Sequence, residues 1–268
     1  MTTSTRATAA NRGTHDPTRK TAFVAGILYL ITYASSIPAA LLLGSTLDTP
    51  GYILGAGADG QVRLAGLLDI VNGLTAFGTA VALYSVVKRQ HEGFAIGFVA
   101  SRLFEAAILF VGILSVITIA NLRETAGTAA DPAALGAVGS GLVALYKTSF
   151  VLGTGICALN AVFLGWLLYR SGLVPRVIPV IGLIGAPLFA SWIVGYIFGI
   201  TEGGTPWHAI GVAPILVWEL VLGLWMTFKG FNRSAPIVVA AAAEAATAEV
   251  APMSPIGPTA VAAKAGAA

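Results

Sequence analysis

Charge is scarce in this chain. Only 10 % of its 268 residues are Asp, Glu, Lys or Arg, whereas a soluble domain carries about 25 %. The balance of 15 basic against 12 acidic residues leaves +3, too little for a polyanion-binding surface, so nucleic acid is not an expected partner. There is one cysteine, Cys157, which excludes an intrachain disulfide framework and any cysteine-based metal site. The three histidines, His15, His91 and His208, are dispersed. No Ser-His-Asp arrangement, HExxH or Walker loop occurs, and neither a metal nor a cofactor is expected. What the chain has in abundance is apolar residues (56 %), glycine (32 residues) and a mean hydropathy of +0.84. That composition belongs to a helical protein of the membrane, whose first partner is the lipid bilayer.

A helix needs about 20 apolar residues to cross a bilayer core of about 30 Å. Six stretches reach that length: about Thr21–Leu43, Leu64–Val87, Phe94–Ala120, Thr148–Tyr169, Val177–Ile200 and Trp207–Phe228. The fold expected is an all-α polytopic bundle of six spans over 21–231. It is flanked by a disordered basic tail (1–20) and a disordered Ala/Pro-rich tail (232–268), with a helical turn near Ala240–Val250. Eleven of the fifteen basic residues fall in segments on one side of these spans, and Arg63, Arg123 and Lys147 on the other. The positive-inside rule then puts both termini in the cytoplasm of a cell whose inner membrane holds the chain. The first span is longer than a signal-peptide core and is read as a retained anchor. Asp131-Pro132 is a helix start, so the fourth helix is expected to begin there, outside the bilayer.

Two glycine patterns have ordinary readings. Gly55-Ala-Gly57-Ala-Asp-Gly60 has the GxGxxG spacing, but a dinucleotide site needs it between a strand and a helix. Here it reads as a loop. Gly93-xxx-Gly97 and Gly195-xxx-Gly199 read as close packing inside the monomer rather than a dimer face.

The informative residues are the polar ones inside the spans: Asp69, Arg102, Glu105 and Glu219, with Asn72 and Asn160. A charge at the bilayer centre costs roughly 2.5–3.5 kcal/mol even on a lenient scale, so each should face inward and be paired. Counting the helical rise from the cytoplasmic ends puts Arg102 at about 12 Å, Glu219 and Asn160 at about 13 Å and Glu105 at about 16 Å. Arg102, Glu105, Asn160 and Glu219 therefore form one expected cluster from three helices, and Asp69 with Asn72 an outer pair. The cluster is either an ion-pair clamp or a polar cavity for a ligand or proton. Cys157 reads as a small apolar filler.

Several stretches carry a family likeness. Arg19-Lys20 before the first span, YILGAGAD ending at Asp59, the run GTAVALYSVVKRQHEGFAIGFVASRLFEA, LYRSGLVPR and WELVLGLWMTFKGF resemble the domain of unknown function 4386 family. The resemblance extends from about Arg19 to Phe231. It implies a bacterial six-helix membrane protein and brings no catalytic residues with it.

The function expected is that of a non-enzymatic multi-pass membrane protein whose buried cluster clamps the bundle. The alternative is a small transporter or binder of a lipophilic or cationic solute. Pro187 and Pro214, inside the fifth and sixth spans, lend that alternative a little support. An intramembrane enzyme using the carboxylates comes third.

Overall fold

In a computed structural model, residues 17–47, 52–54, 59–126 and 131–250 are described. Among them every regular element is a helix. Helix α1 (Pro17–Leu47) is followed by a 3-10 turn (Tyr52–Leu54), α2 (Asp59–Val87), α3 (Glu92–Ala126), α4 (Pro132–Gly155), α5 (Cys157–Ser171), α6 (Val177–Ile197), α7 (Pro206–Phe228) and α8 (Pro236–Val250). Six spans are long and apolar enough to cross a membrane: within α1, α2 and α3, across α4 and α5 together, and in α6 and α7.

Local chemistry explains the boundaries. Asp131 caps α4, its Oδ1 accepting the Ala133 N–H at 3.0 Å with Pro132 at the first helical position. Thr205 caps α7 in the same way, accepting from the His208 N–H. Gly172 closes α5 at φ 65°, a left-handed conformation that glycine adopts without strain.

The expected fourth span is two helices rather than one. The Thr154 hydroxyl bonds back to the Phe150 and Val151 carbonyls, and the Ile156 N–H turns to Gly153. Such back-bonding beside two glycines interrupts the regular ladder.

The tail departs further from expectation. Residues 236–250 form α8, not an unstructured segment with a single turn. Ala235 and Val238 insert into the bundle's apolar core, giving an alanine-rich stretch of high helix propensity the tertiary partner that propensity alone does not supply. Residues 1–16 and 251–268 of the two tails, and 55–58 of the glycine-rich loop, lie outside the described residues.

The helices form a ring. α1 packs on α2 and α7, α2 on α3, α3 on α4 and α5, α5 on α6, and α6 on α7. Small residues permit the closest crossings. A Cβ on Gly223 of α7 would come within 2.9 Å of Tyr29 Cβ on α1, and one on Gly182 of α6 would strike the Trp218 indole. Gly97 and Gly195 likewise pack inside the chain, against Phe163 and Trp207.

Apolar side chains form two cores. One, around Leu83, Phe98, Leu164 and Trp218, fills the end where α1 begins and continues along α6 and α7 as far as Trp192; the other, around Leu43, Val62, Ile119 and Tyr146, lies at the opposite end among α1 to α4. Buried polar residues fill the level between them: Ser35, Asp69, Asn72, Ser101, Arg102, Glu105, Ser149, Asn160 and Glu219. The outer surface is instead apolar, with Leu41, Leu67, Phe104 and Leu114 exposed. Polar groups inside and apolar groups outside is the arrangement a bilayer selects.

Candidate functional site

Arg102 occupies the middle of the ring and is only 1 % exposed. Its helix, α3, carries Ser101, Arg102 and Glu105 on the inward face because positions three and four apart share a helix face. Nη1 donates to Glu105 Oε2 at 3.0 Å. Nη2 donates to the Tyr29 hydroxyl at 3.2 Å and to Glu219 Oε1. The guanidinium also lies 5.4 Å from the Tyr29 ring centre and 5.9 Å from that of Phe98. One cation thus ties α3 to α7, with α1 as a third wall.

Glu105 is the second node. Besides Arg102 it accepts the Asn160 amide N–H on Oε2 at 2.6 Å and the Cys157 thiol on Oε1 at 3.2 Å. Both donors come from α5. The Asn160 amide oxygen accepts in turn from the Ser101 hydroxyl at 2.5 Å. The four residues expected to form one cluster are therefore brought together. Charged hydrogen bonds in a water-poor interior are stronger than neutral ones.

Three members of the network were not anticipated. Cys157 is a hydrogen-bond donor, not merely a filler. Ser101 orients Asn160, and Tyr29 faces the guanidinium from a run of α1 in which nothing but its hydroxyl marks it. One guanidinium meets two carboxylates, so the group carries one negative charge when both are ionised. Two buried donors in this region have no acceptor among the described residues: Arg102 Nε and Trp218 Nε1.

The outer pair behaves differently. Asp69 and Asn72 are buried on α2 at 6 % and 7 % exposure, but neither side chain hydrogen-bonds to another described residue. The expectation that every intramembrane charge is paired holds for Arg102, Glu105 and Glu219 and fails for Asp69.

At the end of the bundle away from α8, Asp59 accepts from Arg123 Nη1 at 2.7 Å and from the Tyr52 hydroxyl at 2.9 Å. The Arg123 guanidinium lies 4.4 Å from the Tyr52 ring centre. Burial pushes the Tyr52 phenol above its ordinary pKa, with Arg123 opposing and Asp59 reinforcing that shift. His91 accepts the Phe94 N–H at the start of α3, and His208 accepts the Gly204 N–H beside Trp192. Among the described residues no group of three or more His, Cys, Asp or Glu converges on a metal position.

The family profile described as a domain of unknown function (DUF4386) matches residues 24–230. The chain belongs to that family. No curated protein and no solved structure matches it.

Proposed function

For this member of the family we propose a non-enzymatic role in a bacterial inner membrane, with both termini cytoplasmic and residues 21–231 forming the transmembrane unit between the 1–20 and 232–268 tails. In this reading the Arg102 network is a clamp that sets the helix arrangement. The observation that carries it is the bridging of two carboxylates by one guanidinium, Glu105 from its own helix and Glu219 from α7. Glu105 also holds α5 through two further donors. Donors and acceptors spent on one another inside the chain stabilise one arrangement of the ring, because breaking any link leaves a buried charge exposed to its desolvation cost.

The test is a double-mutant cycle on Arg102 and Glu219, read as unfolding in detergent. A clamp requires strong coupling, and simple additivity overturns it. The orientation is tested by reporter fusions. Cytoplasmic signals are expected after Lys88 and Arg170 and external ones after Asp59 and Gly127, while a cytoplasmic signal at Asp59 refutes the six-span topology.

One feature supports a second reading, a binder or transporter of a lipophilic or cationic solute. The network has one more carboxylate than cation, and Arg102 Nε has no acceptor among the described residues. A solute-dependent rise in thermal stability that Glu219→Gln abolishes would favour this reading over the clamp alone.

A further inference from the structure

We infer that the junction of α2, α3 and α4 is a binding site for one small monovalent cation, an alkali-metal ion or a proton, with Asp69 as its charged ligand. Four buried polar side chains meet the conditions for such a site. They are Asp69 and Asn72 on α2 and Tyr146 and Ser149 on α4, at 6, 7, 8 and 5 % exposure. None of the four side chains hydrogen-bonds to another described residue.

Their common level follows from the glycines between them. A Cβ on Gly112 of α3 would lie 3.3 Å from both Tyr146 Cδ2 and Ser149 Cβ. On the adjacent face of α3, Gly66 of α2 faces Ile117, and Gly73 faces Phe110 and Ala106. Asp69, midway between those two glycines, therefore lies opposite the stretch of α3 around Gly112 and Ile113. Asp69 is also close enough to Tyr146 to act on it electrostatically.

An ionised carboxylate in this position is untenable by itself. Burial without a counter-charge costs several kcal/mol or more, and buried polar groups in native proteins are almost always satisfied. Among the described residues the one buried cation is Arg102. At this level α1 offers hydroxyls only, among them Ser35, which is turned back to its own carbonyls. From α4 the one buried titratable group is Tyr146, and its neighbour Lys147 lies on the exposed side of the helix. Towards α8, α3 carries Glu105 and Arg102, and Arg102 is engaged by two glutamates. At the far end Arg123 pairs with Asp59, and Arg63 with Glu124.

The missing positive charge must come from the medium. A single carboxylate matches a single charge rather than a divalent ion. The neutral oxygens beside it, an amide, a phenol and a hydroxyl, are the hard ligands that alkali ions take. A proton would satisfy the same charge with less coordination. This site is separate from the Arg102 network and does not rest on its reading as a clamp.

The experiment measures thermal unfolding of the full chain in detergent. Sodium, potassium or lithium is raised against choline at fixed ionic strength, and pH is varied in a second series. For the wild type, the midpoint should rise with an alkali ion at fixed pH, which identifies the metal ion. Alternatively it should rise only as pH falls, which identifies the proton. In Asp69→Asn the response should vanish. In Ser149→Ala the half-saturating concentration of an alkali ion should increase about tenfold, the loss of roughly one good contact. Should Asp69→Asn not fold, carbodiimide labelling of the wild type replaces it: Asp69 modification, mapped by mass spectrometry, should be slowed by the stabilising alkali ion or by raised pH. A wild type that responds to neither series, a response that survives in Asp69→Asn, or labelling of Asp69 indifferent to ions and pH overturns the proposal.

Discussion

Arg102 and Glu219 meet across the middle of the ring although α3 and α7 are not neighbours in it. The long guanidinium side chain makes this possible, since it reaches a carboxylate that no backbone packing brings near. The consequence is energetic. Arg102→Ala leaves two glutamates without their cation and should cost about 3–5 kcal/mol, by analogy with buried pairs in soluble proteins. Arg102→Ala combined with Glu219→Gln should cost less than the sum of the two single changes, measured by denaturant unfolding in detergent micelles. Arg102→Lys should not restore stability, because an ammonium cannot fork between two carboxylates on different helices.

The donors to Glu105 give a second expectation. Cys157→Ser keeps an O–H to offer Oε1, whereas Cys157→Ala removes the donor. The alanine variant should be less stable than the serine variant by about 1–3 kcal/mol, the usual penalty for a partner lost to a buried charged group. Equal stability would mean that Cys157 contributes packing only.

How much of this could be read beforehand depends on the kind of signal. Charges in an apolar run are conspicuous, and a constant helical rise turns their positions into depths, so Arg102, Glu105, Asn160 and Glu219 could be grouped from the sequence. Tyr29 could not, because a tyrosine in an apolar stretch looks the same whether it meets a cation or a headgroup. Cys157 looked like filler because its thiol matters only where another helix delivers a carboxylate. The rule that membrane charges are paired misled at Asp69, whose surroundings come from helices distant in sequence. The division of the fourth span at Ile156 has a local cause, Thr154 between two glycines, that the continuous apolar run conceals, whereas the docking of α8 depends on contacts with the near core that no local pattern encodes.

The far end offers a pH test. The Tyr52 phenol is held above its ordinary value chiefly by burial. A group whose folded pKa is raised binds its proton more tightly in the folded state, so its contribution is complete below the unfolded value, about 10 for tyrosine. It is lost as pH rises through the folded value. Wild-type stability should therefore fall as pH is raised beyond about 10, and Tyr52→Phe should fall less steeply. Arg123→Ala, which strips Asp59 of its ion pair and Tyr52 of its stacked cation, should destabilise the protein at neutral pH by about 1–2 kcal/mol. The check is a series of unfolding curves at increasing pH, with parallel slopes for wild type and Tyr52→Phe counting against the assignment.

The last prediction concerns α8. An alanine-rich tail without aromatic residues suggests a dispensable segment, and deletion after Ser234 would then be silent. The structure argues otherwise. Val238 is 9 % exposed and Ala235 1 %, and both belong to the same core as Leu83, Leu173 and Phe231. The chain leading to α8 is fastened too: the Asn232 N–H donates to the Leu173 carbonyl at 2.8 Å. Deleting residues 235–268 should thus lower stability by about 1–3 kcal/mol, the scale of one or two apolar side chains returned to solvent. The ion pair between Arg89 and Glu244 is too exposed to account for such a loss. Glu244→Gln should accordingly be nearly silent, while Val238→Asp should reproduce most of the deletion. If Glu244→Gln matches the deletion instead, α8 is held by charge rather than by the core.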